Sequence, residues 1–430
     1  MRTHYISEAV KLDDAEVAVA GWVHEVRALK NICFVVLRDK TGKLQITAKR
    51  GEVSDEVFNV LNQPKETVMS VRGRIVHGKG AKAGVELIPS SASVLGKVYC
   101  KVPFDITERD KIPDLDVRID NRHVDLRREE VAAIFRVRAT VQQAFREYLI
   151  SQGFDEIVPP LIVAAATEGG ANLFPVVYFE KEAFLAQSPQ LYKQMAVVGG
   201  LDKVFMQVPV FRAEPHNTTT HLNEVYQMDV EIGFTDDNGA MDVLESTLKH
   251  ILKRVDENRK RELELLNASV TVPDEIPRYT YSYLVDLLNK HDENIEWGND
   301  FNRAHEKKIG ELIGKEAYFI TKWPTSVRAF YSMPSHDNVE VCNAFDLIYR
   351  GLEISSGAQR IHIPELLIQQ IRKRGMDPEN FDFYVRTFMT GAPPHAGWSI
   401  GAERLTMKIC NLENIREASL FPRDRNRISP

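Results

Sequence analysis

Three arginine-bearing segments hold the residue types that bind anions and cations side by side. In residues 211–231, FRAEPHNTTTHLNEVYQMDVE, a strand-like stretch delivers Arg212, a polar loop follows, and a second stretch alternates Asp229 and Glu231 onto one face. Two acids and an arginine on the inner face of a sheet are costly to bury unless they bind something. An arginine can hold a phosphate with two parallel hydrogen bonds, and a carboxylate can hold an ammonium or a metal. A surface hairpin with ordinary ion pairs would use the same residues. In 353–360, EISSGAQR, Glu353 and Ser356 offer oxygens to a divalent cation, and Arg360 offers a second anion site. In 394–405, PHAGWSIGAERL, the glycines permit close approach to a ligand, and Arg404 opens the apolar run LTMKICNL. No Gly-x-x-x-x-Gly-Lys occurs in the chain, so a nucleotide site built from these segments is of a different kind from a P-loop.

These segments need a scaffold, and its outline is readable. Short β-branched stretches at 17–22, 34–38, 44–47, 67–72 and 85–88 are separated by turn signals such as Lys40-Thr41-Gly42. A helical pattern over 52–63 interrupts them before Pro64. Five strands around one helix is the layout of an OB-fold barrel. Residues 102–130 are dense in charge, poor in aliphatics, and read as a hinge. A helix is predicted over Val131–Ser151, ending at Gly153, then a strand over Ile157–Val163. Strands Val204–Phe211 and Glu224–Phe234, joined by a polar loop, suggest an antiparallel pair.

At 43% hydrophobic and 27% charged, the 430 residues describe a globular protein of two or three domains. No apolar run reaches the roughly 20 residues of a membrane helix, and residues 1–14 lack a secretory signal, so the cytoplasm is expected. Cys33, Cys100, Cys342 and Cys410 are scattered, which disfavours a disulfide or a structural zinc. The overall charge of −6 is unevenly spread: residues 1–101 carry 16 Lys and Arg against 11 Asp and Glu, a net of +5, and the remainder −11. A basic small domain suits contact with a polyanion.

In this order the segments resemble the signatures of class II aminoacyl-tRNA synthetases. The predicted helix running into Gly153-Phe-Asp-Glu-Ile-Val-Pro-Pro-Leu, with Pro160, is similar to motif 1. Phe211-Arg212-Ala-Glu214 through Glu231 is similar to motif 2, and Gly401-Ala-Glu-Arg404 to motif 3. Within the class the chain resembles aspartyl-tRNA synthetases of the archaeal and eukaryotic kind, from Gly21-Trp22 to the terminal FPRDRNRISP, without the large insertion of bacterial forms. The resemblance implies an α+β multidomain fold. An N-terminal OB-fold anticodon-binding barrel (1–101) and a hinge (102–130) lead into a class II catalytic domain (131–430), an antiparallel β-sheet flanked by helices. It implies ATP and L-aspartate as substrates, tRNA(Asp) as acceptor, Mg2+ as cofactor, and a homodimer built through motif 1.

Residue by residue, the resemblance assigns Arg212 to the ATP α-phosphate, Glu214 and His221 to the adenine and outer phosphates, and Arg404 to the γ-phosphate. Glu353 and Ser356 are assigned to magnesium. Gln187-Ser-Pro-Gln190-Leu-Tyr-Lys193 supplies Gln190 and Lys193 to the amino-acid pocket, and Thr167-Glu168-Gly-Gly begins a loop over the substrate. Glu168, Gln190 and Asp229 are expected to receive the α-ammonium. Lys193 and Arg360 are expected to leave two cations for the side-chain carboxylate, with Ser356 also in this pocket and His395 helping to close it. Two cations favour aspartate over its neutral amide.

In the barrel, Phe34, Gln45 and Glu86 fall where the family contacts anticodon bases by stacking and edge hydrogen bonds. In archaeal-type relatives, Trp at position 24 with Lys at position 82 accompanies strict tRNA selectivity. His and Pro there accompany charging of tRNA(Asn) as well. His24 and Lys82 combine one residue of each pattern. An asparaginyl-tRNA synthetase, an AMP-forming asparagine synthetase and a non-catalytic relative are the alternatives. Lys193, the N-terminal barrel, and the presence of Arg212, Arg360 and Arg404 weigh against them in turn.

Overall fold

Alternation of apolar and polar residues winds the first part of the chain into five strands: β1 (Glu16–Ala28), β2 (Ile32–Asp39), β3 (Gly42–Lys49), β4 (Val68–His77) and β5 (Val85–Gly96). They close into a barrel in the order β1-β2-β3-β5-β4. Cys33, Val35 and Leu37 of β2 and Leu44, Ile46 and Ala48 of β3 point inward and are buried. The helix Asp55–Leu61 adds Val57, Phe58 and Leu61 to this core, and the Ser54 side chain caps it by accepting the Val57 N–H. The OB-fold expectation holds, with strands longer than their apolar centres because the outward faces stay polar. The computed structural model of the chain describes residues 1–78, 84–108, 111–164, 173–215 and 218–430. It divides into two units, Met1–Val124 and Asp125–Pro430. Within 102–130, Leu115–Asp120 and Arg122–Asp125 are short helices.

The second unit opens with the helix Glu129–Ser151. Its strands are β6 (Asp155–Glu156), β7 (Ile162–Val163), β8 (Pro175–Tyr178), β9 (Lys181–Leu185), β10 (Lys203–Phe211), β11 (Glu224–Gly233), β12 (Arg278–Thr280), β13 (Ala317–Thr321), β14 (Ala344–Tyr349), β15 (Glu353–Gln359) and β16 (His395–Gly401). Eight form one sheet in the order β12-β13-β14-β15-β16-β11-β10-β6, and β7-β9-β8 form a small second sheet. The large sheet is antiparallel except at its edges, where β12 runs parallel to β13 and β6 to β10. Of the single strand predicted over Ile157–Val163 only Ile162–Val163 (β7) is strand, in the small sheet, and β6 (Asp155–Glu156) precedes the predicted range in the large one. Between them Pro159 and Pro160 lack the N–H that a ladder needs.

Helices Glu129–Ser151 and Asp237–Asn258 cover one face of the large sheet. There Phe145, Phe205, Met228, Val230, Ile232, Trp398 and Ile400 form the main core. Strand alternation then turns Gln227, Asp229 and Glu231 of β11 away from that core. The apolar parity of β11 thus sets which of its polar residues can meet a ligand.

Candidate active site

That opposite face carries a cleft of about 370 Å³. Its walls include Gln190, Lys193, Arg212, Glu214, His221, Asp229, Glu353, Ser356, Arg360 and Arg404. These come from six separate parts of the fold, and the chain brings them all together. Glu168, with Thr167, lies outside the described residues, as does Lys82.

The floor is a buried ion cluster. Lys193 projects from the helix Gln190–Ala196 and spends its donors on Asp229 Oδ1 (2.7 Å) and the carbonyls of Val230 and Trp398 (3.2 Å each). Its Nζ is also 3.5 Å from Glu231 Oε2. Arg360 grips Glu231 side-on, through Nε (2.9 Å) and Nη2 (3.2 Å). The second oxygen of Asp229 accepts from Ser399 Oγ at 3.0 Å. Burial alone would raise the Glu231 carboxyl, but Arg360 and Lys193 outweigh it and hold it below its ordinary value. The two cations read from the sequence as spare are therefore paired, because a buried charge without a partner is strongly destabilising. Gly397 faces Glu231 across the β11–β16 ladder, and a Cβ there would stand 2.1 Å from Glu231 Oε2. Only glycine leaves room for this carboxylate.

His395 does not close the pocket. It is fully buried, with Nδ1 2.8 Å from the Pro393 carbonyl and Nε2 3.0 Å from Gln194 Nε2. Since the carbonyl can only accept, the proton sits on Nδ1, and burial keeps the ring neutral by lowering its pKa. Gln194 Oε1 in turn accepts from Gln190 Nε2 (3.0 Å) and Tyr384 Oη (2.9 Å). His395 thus orients Gln194 behind Gln190.

The rim is built from loops. Arg212 follows β10 directly. Its backbone carbonyl and that of Glu214 accept from Asn223 Nδ2 at 2.9 and 3.3 Å, which ties the two sides of the polar loop. Arg404 rises from the helix Ala402–Ile409, donates to the Glu353 carbonyl (3.0 Å) and lies 3.4 Å from His221 Nε2. Burial, then Arg404, pushes His221 down from its ordinary value, so its ring is neutral at pH 7.

Three residues apart on an ordinary strand, Glu353 and Ser356 would face opposite sides. They share a side because β15 is bulged: Ile348 pairs with Glu353 and Leu347 with Ser355, leaving Ile354 as the extra residue. The Glu353 N–H released by the bulge is taken by the Glu306 carboxyl at 3.2 Å. Burial and then the neighbouring Glu353 push Glu306 up to about 8.

On the same face, Asp346 pairs in register with Ser356 and binds Arg328 through Oδ2. Burial raises its carboxyl to about 7 despite Arg328. Asp346, Arg328 and Glu306 are residues that the sequence reading missed. A lone acid inside the apolar strand Ala344–Tyr349 was the available signal for the first. A carboxylate, a hydroxyl and a second carboxylate on one face are hard oxygen donors suited to a small divalent cation. No group of three or more His, Cys, Asp or Glu among the described residues is arranged to hold a metal alone.

A second constellation lies on the barrel. Phe34 is opposite Thr47, and Gln45 opposite Glu86, so all four share the outward face. Phe34 is absent from the barrel core, and Glu86 Oε2 accepts from Thr47 Oγ1 (2.5 Å) and Gln45 Nε2 (3.2 Å). His24 falls at a bulge in β1, with Nδ1 3.0 Å from Arg38 Nη1. Arg38 is itself held by Glu66 at 3.0 and 3.2 Å. Burial, then Lys43 and Arg38, lowers His24 to about 4, so the ring is neutral. Its proton is on Nε2, because a guanidinium can only donate.

The family profile described as tRNA synthetases class II (D, K and N) matches residues 114–425, and that for the OB-fold nucleic acid binding domain matches 17–95. The chain belongs to the class II tRNA synthetases. Among curated relatives, it is 47% identical to the aspartate–tRNA(Asp/Asn) ligase of Methanocaldococcus jannaschii, covering 100% of this chain and 98% of that one. It is 46% identical to the aspartate–tRNA(Asp) ligase of Pyrococcus furiosus, with 100% of both covered. Among solved structures, asparaginyl-tRNA synthetase from Pyrococcus horikoshii complexed with asparaginyl-adenylate superposes with a TM-score of 0.94 at 32% identity over 100% of both chains. Aspartyl-tRNA synthetase from Entamoeba histolytica gives 0.89 at 30%, covering 100% of this chain and 93% of that one. Class II membership accounts for a nucleotide-sized cleft that has arginines on its rim and no P-loop. No helix among the described residues is long and apolar enough to cross a membrane.

Proposed function

We propose that this class II synthetase is an aspartate–tRNA ligase. It joins L-aspartate to ATP as aspartyl-adenylate, releasing pyrophosphate, then transfers aspartate to the 3′ end of tRNA(Asp). The observation that carries the reading is the buried Lys193 beside Arg360 at the cleft floor. Asp229 fixes Lys193 as a buried positive charge at the floor, and the side-on grip on Glu231 leaves the Nη1 edge of Arg360 for a ligand carboxylate. A neutral amide would gain less there. Full-length relatives at 44–47% identity that carry the aspartate–tRNA ligase name support the same choice.

In this reading Gln190 and Asp229, with Glu168, receive the α-ammonium, and Ser356 borders the amino acid. Arg212 meets the α-phosphate, where charge builds as the aspartate carboxylate attacks in line. Arg404 holds the γ-phosphate, and Glu214 and neutral His221 orient the adenine and outer phosphates. Fixed positive groups aimed at a transition state need no reorganisation as the reaction proceeds. The substrate carboxylate is itself the nucleophile, so no protein base is required. Glu353 and Ser356 would hold Mg2+, which supplies neutralisation of phosphate charge.

Residues 1–101 would bind the anticodon, 102–130 serve as hinge and 131–430 catalyse, with Phe34, Gln45 and Glu86 contacting bases. The aspartate and asparagine anticodons differ at the third base. A neutral His24 that presents Nε2–H can donate to either pyrimidine, which supports charging of tRNA(Asn) as well, while Lys82 would favour one base. The same reading assigns the enzyme to the cytoplasm and, through 153–163, to a homodimer.

ATP–pyrophosphate exchange should depend on aspartate and not on asparagine. The structural likeness to an asparaginyl enzyme makes the amide the necessary control. Asparagine-dependent exchange equal to that with aspartate overturns the reading. Charging of both tRNA transcripts then tests His24: a preference for tRNA(Asp) beyond about a thousandfold exceeds the ~1–3 kcal/mol of one mismatched position and rules out relaxed charging.

A further inference from the structure

Arg328 ends the short turn Thr325–Val327 and lines the same cleft as Arg212 and Arg404. Its guanidinium lies 4.0 Å over the buried Trp323 ring, bonds Asp346 Oδ2 through Nη2, and places Nη1 3.4 Å from Ser356 Oγ. The backbone of this turn is pinned, since Arg374 Nη2 donates to the carbonyls of Thr325 (2.7 Å) and Arg328. The side chain is the part that can move.

Its partners are the oxygens on the bulged face. Asp346 is almost fully buried, and its Oδ1 has no hydrogen-bond partner among the described residues. Two acids, Asp346 and Glu353, face the same space and favour cations there: Arg404 Nη1 lies 3.7 Å from Glu353 Oε2, and Asp346 draws a second. Arg328 supplies it from within the chain. A divalent ion held by Glu353 and Ser356 would meet that guanidinium at the shared Ser356 oxygen, and two cations a few ångströms apart repel. Both cannot stay.

We propose that Arg328 is an exchangeable internal counter-ion. It neutralises the Asp346–Glu353–Ser356 face in the free enzyme, yields it to the divalent cation that arrives with ATP, and moves onto the outer phosphates. This rests on the reading of Glu353 and Ser356 as the magnesium site. A permanent structural ion pair would instead keep Arg328 on Asp346 with nucleotide bound.

The test measures Mn2+ binding to the full-length protein by the loss of its free electron-paramagnetic-resonance signal, and nucleotide binding by calorimetry. Arg328→Met keeps the stem on Trp323 and removes the charge. Without nucleotide it should bind Mn2+ about tenfold more tightly than wild type. With saturating Mn2+ it should bind ATP about tenfold more weakly, while AMP binding is unchanged. Unaltered Mn2+ affinity, or tighter Mn2+ with unaltered ATP affinity, overturns the proposal. Should the Met variant fail to fold, Arg328→Gln is read by the same criteria. Glu353→Gln separates the two layers: undiminished Mn2+ binding there refutes the metal-site reading itself, whatever Arg328 does.

Discussion

Lys193 is a buried ammonium with two acids within 3.5 Å, so its removal is felt in stability as well as in binding. Replacing it with Met leaves Asp229 and Glu231 sharing one cation, and breaking a buried pair costs about 3–5 kcal/mol. We expect Lys193→Met to lose about that much in denaturant unfolding and to lose aspartate-dependent exchange. Adding Asp229→Asn removes the orphaned charge and should recover most of the stability without recovering exchange. If the double variant activates aspartate at the wild-type rate, Lys193 has no part in the pocket. At this scale the residue types were legible: Arg212, Asp229, Glu353, Arg360 and Arg404 announce anion and cation binding by chemistry and spacing. Their pairings were not. Whether Arg360 is spare or spoken for depends on β11 and β16 lying in register, Glu231 opposite Gly397, and no local pattern encodes that.

Strand parity, read from the sequence, places Asp229 and Glu231 correctly and would misplace Ser356 relative to Glu353. The difference is one inserted residue in β15, and the N–H that the ladder drops is taken by the carboxyl of Glu306, 47 positions away. The same limit explains why Ile157–Val163 reads as one strand: apolar content is visible, and the cost of two consecutive prolines to the ladder is easily underweighted. By contrast Phe34 could be placed only by pairing, since an aromatic in a strand is equally at home in a core. If Glu306 holds the bulge, Glu306→Ala leaves a buried N–H unsatisfied, at about 1–3 kcal/mol. That should raise the KM for ATP about tenfold, since tenfold corresponds to about 1.4 kcal/mol. Because Glu306 titrates near 8, its neutral form prevails at pH 7, and Glu306→Gln keeps both the acceptor and the neutral state. The Gln variant should therefore show a near wild-type KM. Equal damage from Gln and Ala would mean that the charge matters and not the acceptor.

Across the whole molecule, the segment 153–163 is the place where the second unit is least finished as a monomer. Here β6 is the outermost strand of the large sheet, and Val158 beyond it is 89% exposed, with Ile162 also exposed. An open edge usually invites another strand, but Pro159 and Pro160 remove the donors that edge-to-edge pairing would need. What remains is an apolar surface that side chains, rather than a continued ladder, can cover. A second copy of the same segment related by a two-fold axis would cover it symmetrically, and permanent homodimer interfaces bury about 2,000 Å² or more in total. Light scattering at micromolar concentration should therefore give twice the 48.9 kDa of one chain. Val158→Asp places a charge at the centre of that contact. Since the side chain is solvent-exposed in the single chain, this change should shift the mass toward 48.9 kDa without lowering the unfolding midpoint of the monomer. Full activity from a wild-type species of 48.9 kDa would refute the dimer, and a Val158→Asp protein that remains a dimer would move the interface elsewhere.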